Sequence, residues 1–287
     1  MKWRFVVPLL LLPSLTWGNE LSLQPAVINS GEVAVLRWSG EIPAVAVGRF
    51  QDRLYYLRPL ADGALALLGT DLELPAGSYP VEVSVVDCQG QSGFYRLNLE
   101  VRNAERPVER LTLPPEMVSP QKPAVLQRIA KERALLAEIY ARHSSPPLWD
   151  SFIVPVADPV GSPFGLRRIL NGQPKSPHAG VDFRSPAGTA VRAAARGRVV
   201  FAGDLYYTGQ TVILDHGEGF FTVYAHLQTI DCRSEELLEA GTALGKVGST
   251  GRSTGPHLHW GVKLRGDRID PLALAELLKG GNSGEKR

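Results

Sequence analysis

The sequence predicts a mainly β protein of 287 residues, in which two β domains are joined by a connector that contains one helix. Short runs of alternating apolar and polar residues recur along most of the chain, as is typical of half-buried strands. Clusters of turn-forming residues separate these runs, in a chain with 29 glycines and 22 prolines. One segment, residues 124–142, instead has the spacing of an amphipathic helix.

The overall composition is that of a globular protein with a buried core. Hydrophobic residues make up 44% of the chain and charged residues 21%. The formal net charge of +2 gives no strong basic field, so we expect no nucleic-acid partner.

Residues 1–18 have the features of an export signal peptide. Lys2 and Arg4 provide a positive start, Phe5–Leu12 is apolar, and the small residue Gly18 precedes the expected cleavage point. The apolar run is too short to cross a bilayer, and no cysteine stands directly after the cleavage point to carry a lipid. We therefore expect secretion across the inner membrane, with no stable membrane anchor after signal cleavage.

Residues 19–103 predict an immunoglobulin-like β-sandwich. Val33–Trp38, Arg53–Leu57 and Val81–Val86 alternate as strands do, and turn signals such as Asn29–Gly31 separate them. The segment contains no histidine and no acidic cluster with ligand-like spacing. We expect a structural or docking module.

Residues 104–150 form the connector, and the helix at 124–142 should end before Ser144–Pro147. A single amphipathic helix between two β domains can pack against one of them or pair with a coiled-coil partner. The first alternative is favoured because the pattern is short.

Residues 151–279 return to strand-like runs, including Gly197–Ala202, Thr211–Leu214 and Phe221–His226. A short helix is expected at Pro271–Lys279, followed by a flexible tail at 280–287.

The two cysteines, Cys88 and Cys232, fall in different predicted domains. In an oxidising compartment they could form an inter-domain disulfide, or they could remain independent thiols. Their spacing does not suit a cysteine-based zinc site.

Histidines are the main candidates for metal binding and catalysis. His257 and His259 are two residues apart in a strand-like run, so their side chains should project from one face of a sheet. They could be two metal ligands, one ligand and one catalytic base, or strand histidines with no task. His178 and Asp182 could join one of them at a zinc ion with three protein ligands and an open fourth position, with Gly180 permitting the bend between them.

His226 is the third part of the constellation. Strand alternation places Tyr224 and His226 on one face, and His226 could act on a substrate oxygen if that face carries the metal. His216 is expected to be a turn histidine at a hairpin. Three arginines could line a groove and bind peptide carboxylates, or could simply be solvated: Arg167, Arg168 and Arg252.

Together these motifs resemble those of the lysostaphin/LytM-type zinc endopeptidases, which cut peptide cross-links in bacterial peptidoglycan. The resemblance covers roughly residues 151–275 and rests on three motifs: His178-Ala-Gly-Val-Asp182, Tyr224-Ala-His226-Leu, and Gly251-Arg-Ser-Thr-Gly-Pro-His257-Leu-His259. It implies one Zn²⁺ per chain bound by His178, Asp182 and His259, and catalytic roles for His226 and His257. It also implies an antiparallel β fold with a groove over the sheet.

The function implied is that of an exported zinc metallo-endopeptidase that hydrolyses peptidoglycan cross-links, as a D,D-endopeptidase or as a cutter of glycine bridges. Peptidoglycan stem peptides are the expected partners and the periplasm is the expected compartment. Several relatives have lost one or more of these five residues and activate other wall hydrolases. A non-catalytic or latent regulator is therefore the alternative, although this sequence retains all five. The oligomeric state is not predicted.

Overall fold

A computed structural model describes residues 19–112 and 122–281. The predicted signal peptide at 1–18 lies outside the described residues, as do residues 282–287 of the predicted tail. The described chain is mainly β and contains the helices α1 (Pro123–Tyr140) and α2 (Pro271–Gly281), so the predicted fold class is confirmed. Neither of these helices has both the length and the apolar character that a membrane span requires.

The amino-terminal part is a sandwich of two sheets, with strands numbered in chain order. The first sheet has the order β1 (Glu20–Gln24), β3 (Val33–Ser39), β7 (Gly63–Gly69), β6 (Arg58–Leu60). The second has the order β2 (Val27–Asn29), β9 (Ser92–Arg102), β8 (Gly77–Val86), β4 (Val45–Phe50), β5 (Arg53–Tyr56). Alternation buries Leu36 and Trp38 of β3 against Phe50 and Leu99 of the second sheet.

The connector contacts the carboxy-terminal part through a strand and through a helix. Strand β10 (Val108–Leu111) pairs in parallel with β12 (Arg167–Leu170), which also pairs with β13 (Gln173–Pro174). Helix α1 begins with a proline, which suits the first turn because the missing N–H has no helical partner there. Its Ile139 is buried among Val200, Ile213 and Phe221, so the helix packs against the carboxy-terminal sheet.

The carboxy-terminal sheet has ten strands, all paired antiparallel. Its main order is β11 (Val160–Ser162), β14 (Gly180–Phe183), β21 (Leu258–Leu264), β18 (Phe220–Ile230), β17 (Gly209–Asp215), β16 (Gly197–Leu205), β19 (Leu237–Leu238). The remaining strands are β15 (Ala190–Arg192), β20 (Ala243–Val247) and β22 (Asp267–Ile269).

The two faces of this sheet have different surroundings. One face carries the main core, including Tyr224 and Trp260. Along β21, alternation places His259 on the face opposite Trp260. Helix α1 covers part of that opposite face at Phe221. The face that bears His259 is therefore shared between a covering helix and the candidate site.

The two parts of the molecule share one hydrophobic core. Val33, Leu67 and Leu72 of the sandwich belong to the same buried cluster as Leu264 and Ile269. Ion pairs border this contact, at 2.6 Å for Arg53 with Asp267 and 2.6 Å for Arg268 with Asp71. The sandwich is therefore packed onto the sheet and not merely tethered to it.

The two cysteines are free thiols. Cys88 is exposed and Cys232 is buried. Burial raises the pKa of the Cys232 thiol to about 11, so this side chain is an unreactive core residue. Of the two alternatives, independent thiols are what the structure contains.

Candidate active site

Three ligand-type atoms converge at the junction of β14 and β21. Asp182 and His259 are paired neighbours in the antiparallel register, and His178 lies just before β14. Oδ1 of Asp182 lies 2.9 Å from Nε2 of His178 and 2.9 Å from Nδ1 of His259. The two histidine nitrogens are 3.0 Å apart. These side chains form a group that could hold a metal ion.

The hydrogen bonding of His178 fixes which of its nitrogens can bind a metal. Its Nδ1 lies 3.0 Å from the carbonyl oxygen of Pro163, which can only accept, so Nδ1 carries the proton in the neutral ring. Nε2 then presents a lone pair to the cluster. Backbone bonds hold the ring in place, because the Gly165 N–H donates to the His178 carbonyl and the His178 N–H donates to Leu166.

The donor set fits zinc. Two imidazole nitrogens and one carboxylate oxygen lie in contact, and at most one of the three atoms carries a proton. Their lone pairs therefore repel one another, and a bound cation would remove this repulsion. Three such ligands around tetrahedral zinc, at about 2.0–2.1 Å, are separated by roughly 3.3 Å. The separations here are 2.9 to 3.0 Å, so a small outward movement would suffice.

The electrostatics of the cluster also suit a divalent cation. Burial opposes ionisation of Asp182, but contacts with His178 and His259 outweigh it and lower the pKa of this carboxyl well below its usual range. Burial lowers the pKa of His259, against the opposing effect of Asp182. The ionised Asp182 carboxylate beside a neutral His259 imidazole directs a negatively charged oxygen, Oδ1, toward the cluster in a largely buried place.

Gly180 plays a different part from the one expected. The sequence suggested that it permits a bend, but Gly180 is not among the glycines with a left-handed backbone. A Cβ added there would lie 2.4 Å from the carbonyl oxygen of Trp260 and 2.8 Å from Cε1 of His259. The missing side chain therefore makes room for the His259 imidazole.

His226 lies beside this cluster, but regular strand alternation does not place it there. Tyr224 is fully buried in the main core, so the expectation that Tyr224 and His226 share a face is wrong. His226 has a left-handed backbone, with φ of 60°, and the pairing register with β17 shifts between Tyr224 and Leu227, the stretch that contains it. This irregularity turns the ring to within 4.6 Å of the His257 ring and 6.1 Å of the His259 ring, measured between centroids.

Backbone carbonyls orient both of the additional histidines. Nδ1 of His226 lies 2.8 Å from the Thr250 oxygen, and Nδ1 of His257 lies 2.9 Å from the Gly255 oxygen. Because carbonyls only accept, each neutral ring carries its proton on Nδ1 and has a lone pair on Nε2. Burial lowers the pKa of His226 to about 4, which keeps this ring neutral near pH 7.

Two glycines bring together the loops that hold these histidines. Gly251 precedes His257 and has a left-handed φ of 71°. A Cβ there would lie 2.3 Å from the backbone nitrogen of Gly209. The neighbouring Thr208 carbonyl accepts the His226 N–H at 2.8 Å. The contact between the two loops therefore requires glycine and helps to fix His226 relative to His257.

His216 lies apart from the cluster and is a core residue. It follows β17 at a hairpin turn, as expected, but it is fully buried. Its Nδ1 donates to the Arg196 carbonyl and its Nε2 accepts from the Thr222 hydroxyl, both at 2.8 Å. Burial lowers the pKa of His216 to about 4, so the ring is neutral and structural.

The three candidate groove arginines occupy different environments. Arg167 is exposed, and Arg252 lies over the Tyr207 ring at 4.5 Å. Arg168 contacts the candidate metal-binding group itself, with Nη2 3.4 Å from Oδ2 of Asp182. Its Nε lies 3.1 Å from Glu109 of the connector. Sequence reasoning missed Glu109, since a single acidic residue in a linker carries no signal of its own.

The fold and this site define the class of metal-dependent peptidases, and comparison with known proteins identifies the family. The sequence model of Peptidase family M23 matches residues 176–271, a span that includes all five candidate residues. A crystal structure from Pseudomonas aeruginosa, described as a peptidase M23, is 31% identical over 86% of this chain and 94% of that chain, with a TM-score of 0.65. The chain belongs to peptidase family M23.

Named relatives are similar over about two fifths of this chain. The DD-carboxypeptidase/endopeptidase Mpg of Neisseria meningitidis is 40% identical over 116 residues, which is 40% of this chain and 27% of the relative. The peptidoglycan DD-endopeptidase ShyA of Vibrio cholerae is 37% identical over 114 residues, which is 39% of this chain and 26% of the relative. The matched region thus spans about a quarter of the length of each of these relatives.

Proposed function

We propose that this protein is an exported zinc metallo-endopeptidase that hydrolyses peptide cross-links of bacterial peptidoglycan as a D,D-endopeptidase. One observation carries the proposal: the ligand-type atoms of His178, Asp182 and His259 meet within 3.0 Å of one another, with the rings of His226 and His257 alongside. The substrate is inferred from the names of two relatives, which are a peptidoglycan DD-endopeptidase and a DD-carboxypeptidase/endopeptidase.

In this proposal His178 binds one Zn²⁺ through Nε2, Asp182 through Oδ1 and His259 through Nδ1. Zinc, when bound, supplies an acidified water and polarises the carbonyl of the peptide bond. Arg168 contacts Oδ2 of Asp182, and the Pro163 carbonyl accepts from Nδ1 of His178. Both contacts are made by the atom that does not bind the metal, so they keep the two donor atoms directed at one point.

His257 and His226 carry the proton transfers. His257 accepts a proton from the attacking water at Nε2, since its Nδ1–H is engaged by Gly255. His226 holds the oxyanion or delivers a proton to the leaving amine from Nε2 once that atom is protonated. Both rings have the same nitrogen available, so the two assignments can be exchanged, and variants must separate them.

Export places the enzyme with its substrate. The signal-like residues 1–18 suit secretion across the inner membrane, and the periplasm is the compartment in which peptidoglycan would be met. Peptidoglycan stem peptides are accordingly the proposed partners.

The decisive experiment is digestion of purified sacculi with the full-length protein, followed by mass spectrometry of the muropeptides. We expect cross-linked dimers to disappear and uncross-linked products to accumulate, with one water added for each bond cut. Loss of zinc by chelation should stop the reaction and added zinc should restore it.

Two variants test the assigned roles. His259→Ala should lose both zinc and activity, whereas His257→Ala should retain zinc and lose activity by at least about a hundredfold. Full activity in a zinc-loaded His257→Ala protein would refute the assignment. A wild-type protein that binds zinc and opens no cross-link would favour the non-catalytic regulator.

A further inference from the structure

The two carboxylate oxygens of Asp182 have different surroundings. Oδ1 faces His178 and His259, whereas Oδ2 faces Nη2 of Arg168 at 3.4 Å. The side chain is only 12% exposed, so bulk water offers Oδ2 little alternative. Without a partner on Oδ2 the carboxylate could rotate, and Oδ1 would no longer be held toward the two histidines.

Arg168 is itself held from the opposite side. Its Nε lies 3.1 Å from Oε2 of Glu109, and its Nη2 also lies 3.4 Å from the Ser162 hydroxyl. A guanidinium is a rigid planar fork, so fixing Nε also fixes the direction of Nη2. The negative charge of Glu109 offsets that of Arg168, which limits repulsion between the arginine and a bound cation.

The position of Glu109 follows from backbone pairing. Strand β10 pairs in parallel with β12, and this register sets Glu109 beside Arg168. Ser162, on β11, is in turn the register neighbour of Asp182 on β14. The connector is thereby linked to Asp182, a candidate metal ligand, through the side chains of Glu109 and Arg168. Glu109 and Arg168 both lie outside the segment that matches the family model, which begins at residue 176.

We propose that Glu109 and Arg168 are positioning residues that orient Asp182 for zinc, so that the connector strand is part of the metal site. This inference rests on the proposed function only in taking Asp182 to be a zinc ligand. Arg168 acts on Asp182 directly, and Glu109 acts through Arg168. The first measurable consequence is zinc affinity, and activity follows from it.

The test measures zinc dissociation constants of the full-length protein by competition with a chromophoric chelator. Arg168→Gln should weaken zinc binding by about tenfold or more, and Glu109→Gln should weaken it in the same direction. Glu105→Gln is the matched control, because Glu105 is an exposed acid of the same connector. It should leave zinc affinity unchanged.

A double-mutant cycle separates positioning from general structural damage. The Glu109→Gln/Arg168→Gln protein should bind zinc no more weakly than Arg168→Gln alone, because Glu109 acts on Asp182 through Arg168. Arg168→Lys, which keeps the charge and loses the fork, should also weaken binding and serves if Arg168→Gln does not fold.

Three outcomes would overturn the inference. Glu109→Gln could bind zinc as tightly as Glu105→Gln, or the effects of the two substitutions could be fully additive. If either occurs while the wild-type protein binds zinc, this inference fails and the proposed function stands. If the wild-type protein binds no zinc, both fail.

Discussion

Among single residues, Gly180 gives the most direct test of the geometry of the cluster. In Gly180→Ala the new Cβ would collide with the Trp260 carbonyl, at 2.4 Å, and with the His259 ring, at 2.8 Å. Since the strand backbone cannot easily yield, we expect the His259 ring to move and zinc affinity to fall by at least about tenfold. Gly255→Ala is the control, because its Cβ would meet nothing within 4 Å. Equal zinc affinity in the two variants would contradict this explanation.

His216 makes the stability of the protein depend on pH. Burial lowers its pKa to about 4 in the folded state, from 6.5 in the unfolded chain. The unfolded chain therefore binds the proton first as the pH falls. The contribution of neutral His216 to the free energy of unfolding is therefore complete above pH 6.5, and it is lost progressively as the pH falls to 4. The shift corresponds to about 3 kcal/mol of unfolding free energy.

Denaturant unfolding of the wild type and of His216→Gln at several pH values would check this. The variant lacks the titrating group, so the advantage of the wild type should shrink by about 3 kcal/mol between pH 7 and pH 4. A difference that stays constant over this interval would show that His216 is not the responsible group.

Individual site residues could be predicted from the sequence only where they follow a regular spacing. His178, Asp182, His257 and His259 could be singled out from their spacing, and the structure brings all four to one place. His226 could be named as a candidate, but its face could not be predicted from alternation. The register shift between Tyr224 and Leu227 and the left-handed backbone of His226, with φ of 60°, reverse its direction. Neither can be recognised from the sequence Tyr-Ala-His-Leu.

At the scale of elements, α1 attaches the connector to the sheet through one apolar face. Ile139 is 1% exposed and packs on Phe221, whereas Leu135 of the same helix is 40% exposed. We expect Ile139→Ala to lower the unfolding free energy by about 2–5 kcal/mol, and Leu135→Ala to change it by less than about 1 kcal/mol. Thermal or denaturant unfolding measures both, and similar losses would mean that the helix does not pack as described.

The elements differ in how far local sequence determines them. Helix α1 and the antiparallel strands follow from periodicity and turn residues, because each pattern lies within a few neighbouring residues. The parallel pairing of β10 with β12 joins Glu109 to Arg168 across 59 positions, so no local pattern indicates it. The support that the connector gives to Asp182 could therefore be found only in three dimensions.

For the whole molecule, the shared core predicts that both parts unfold together. Leu67 packs in the core common to the sandwich and the sheet, whereas its neighbour Leu68 packs inside the sandwich. Leu67→Ala and Leu68→Ala should each lower the midpoint of a single calorimetric transition, with costs of about 2–5 kcal/mol. Two separate transitions, of which Leu68→Ala moves only one, would show that the parts are thermodynamically independent.

Composition and turn signals indicated two β regions, but not that they share a core. The apolar residues of β7 are nearly continuous, and the sequence alone does not tell which partner each one faces. In the structure, successive leucines face different partners, with Leu67 toward the carboxy-terminal sheet and Leu68 toward the interior of the sandwich. A fragment that begins near Leu148 would lose the sandwich, α1 and Glu109 together, so its activity alone could not separate their effects.

The hydrogen-bonded chain behind the site offers a spectroscopic reporter. The Ala194 N–H donates to the Tyr224 hydroxyl, which reaches Thr222, and the Thr222 hydroxyl donates to His216. His216 is fully buried and its Nδ1 proton is bonded to the Arg196 carbonyl. Exchange of this proton with water should therefore be slow, and its nuclear magnetic resonance signal should be resolved. Because Thr222 and Tyr224 belong to the strand that carries His226, that signal would report the register of this strand without any label or probe at the face that bears His259.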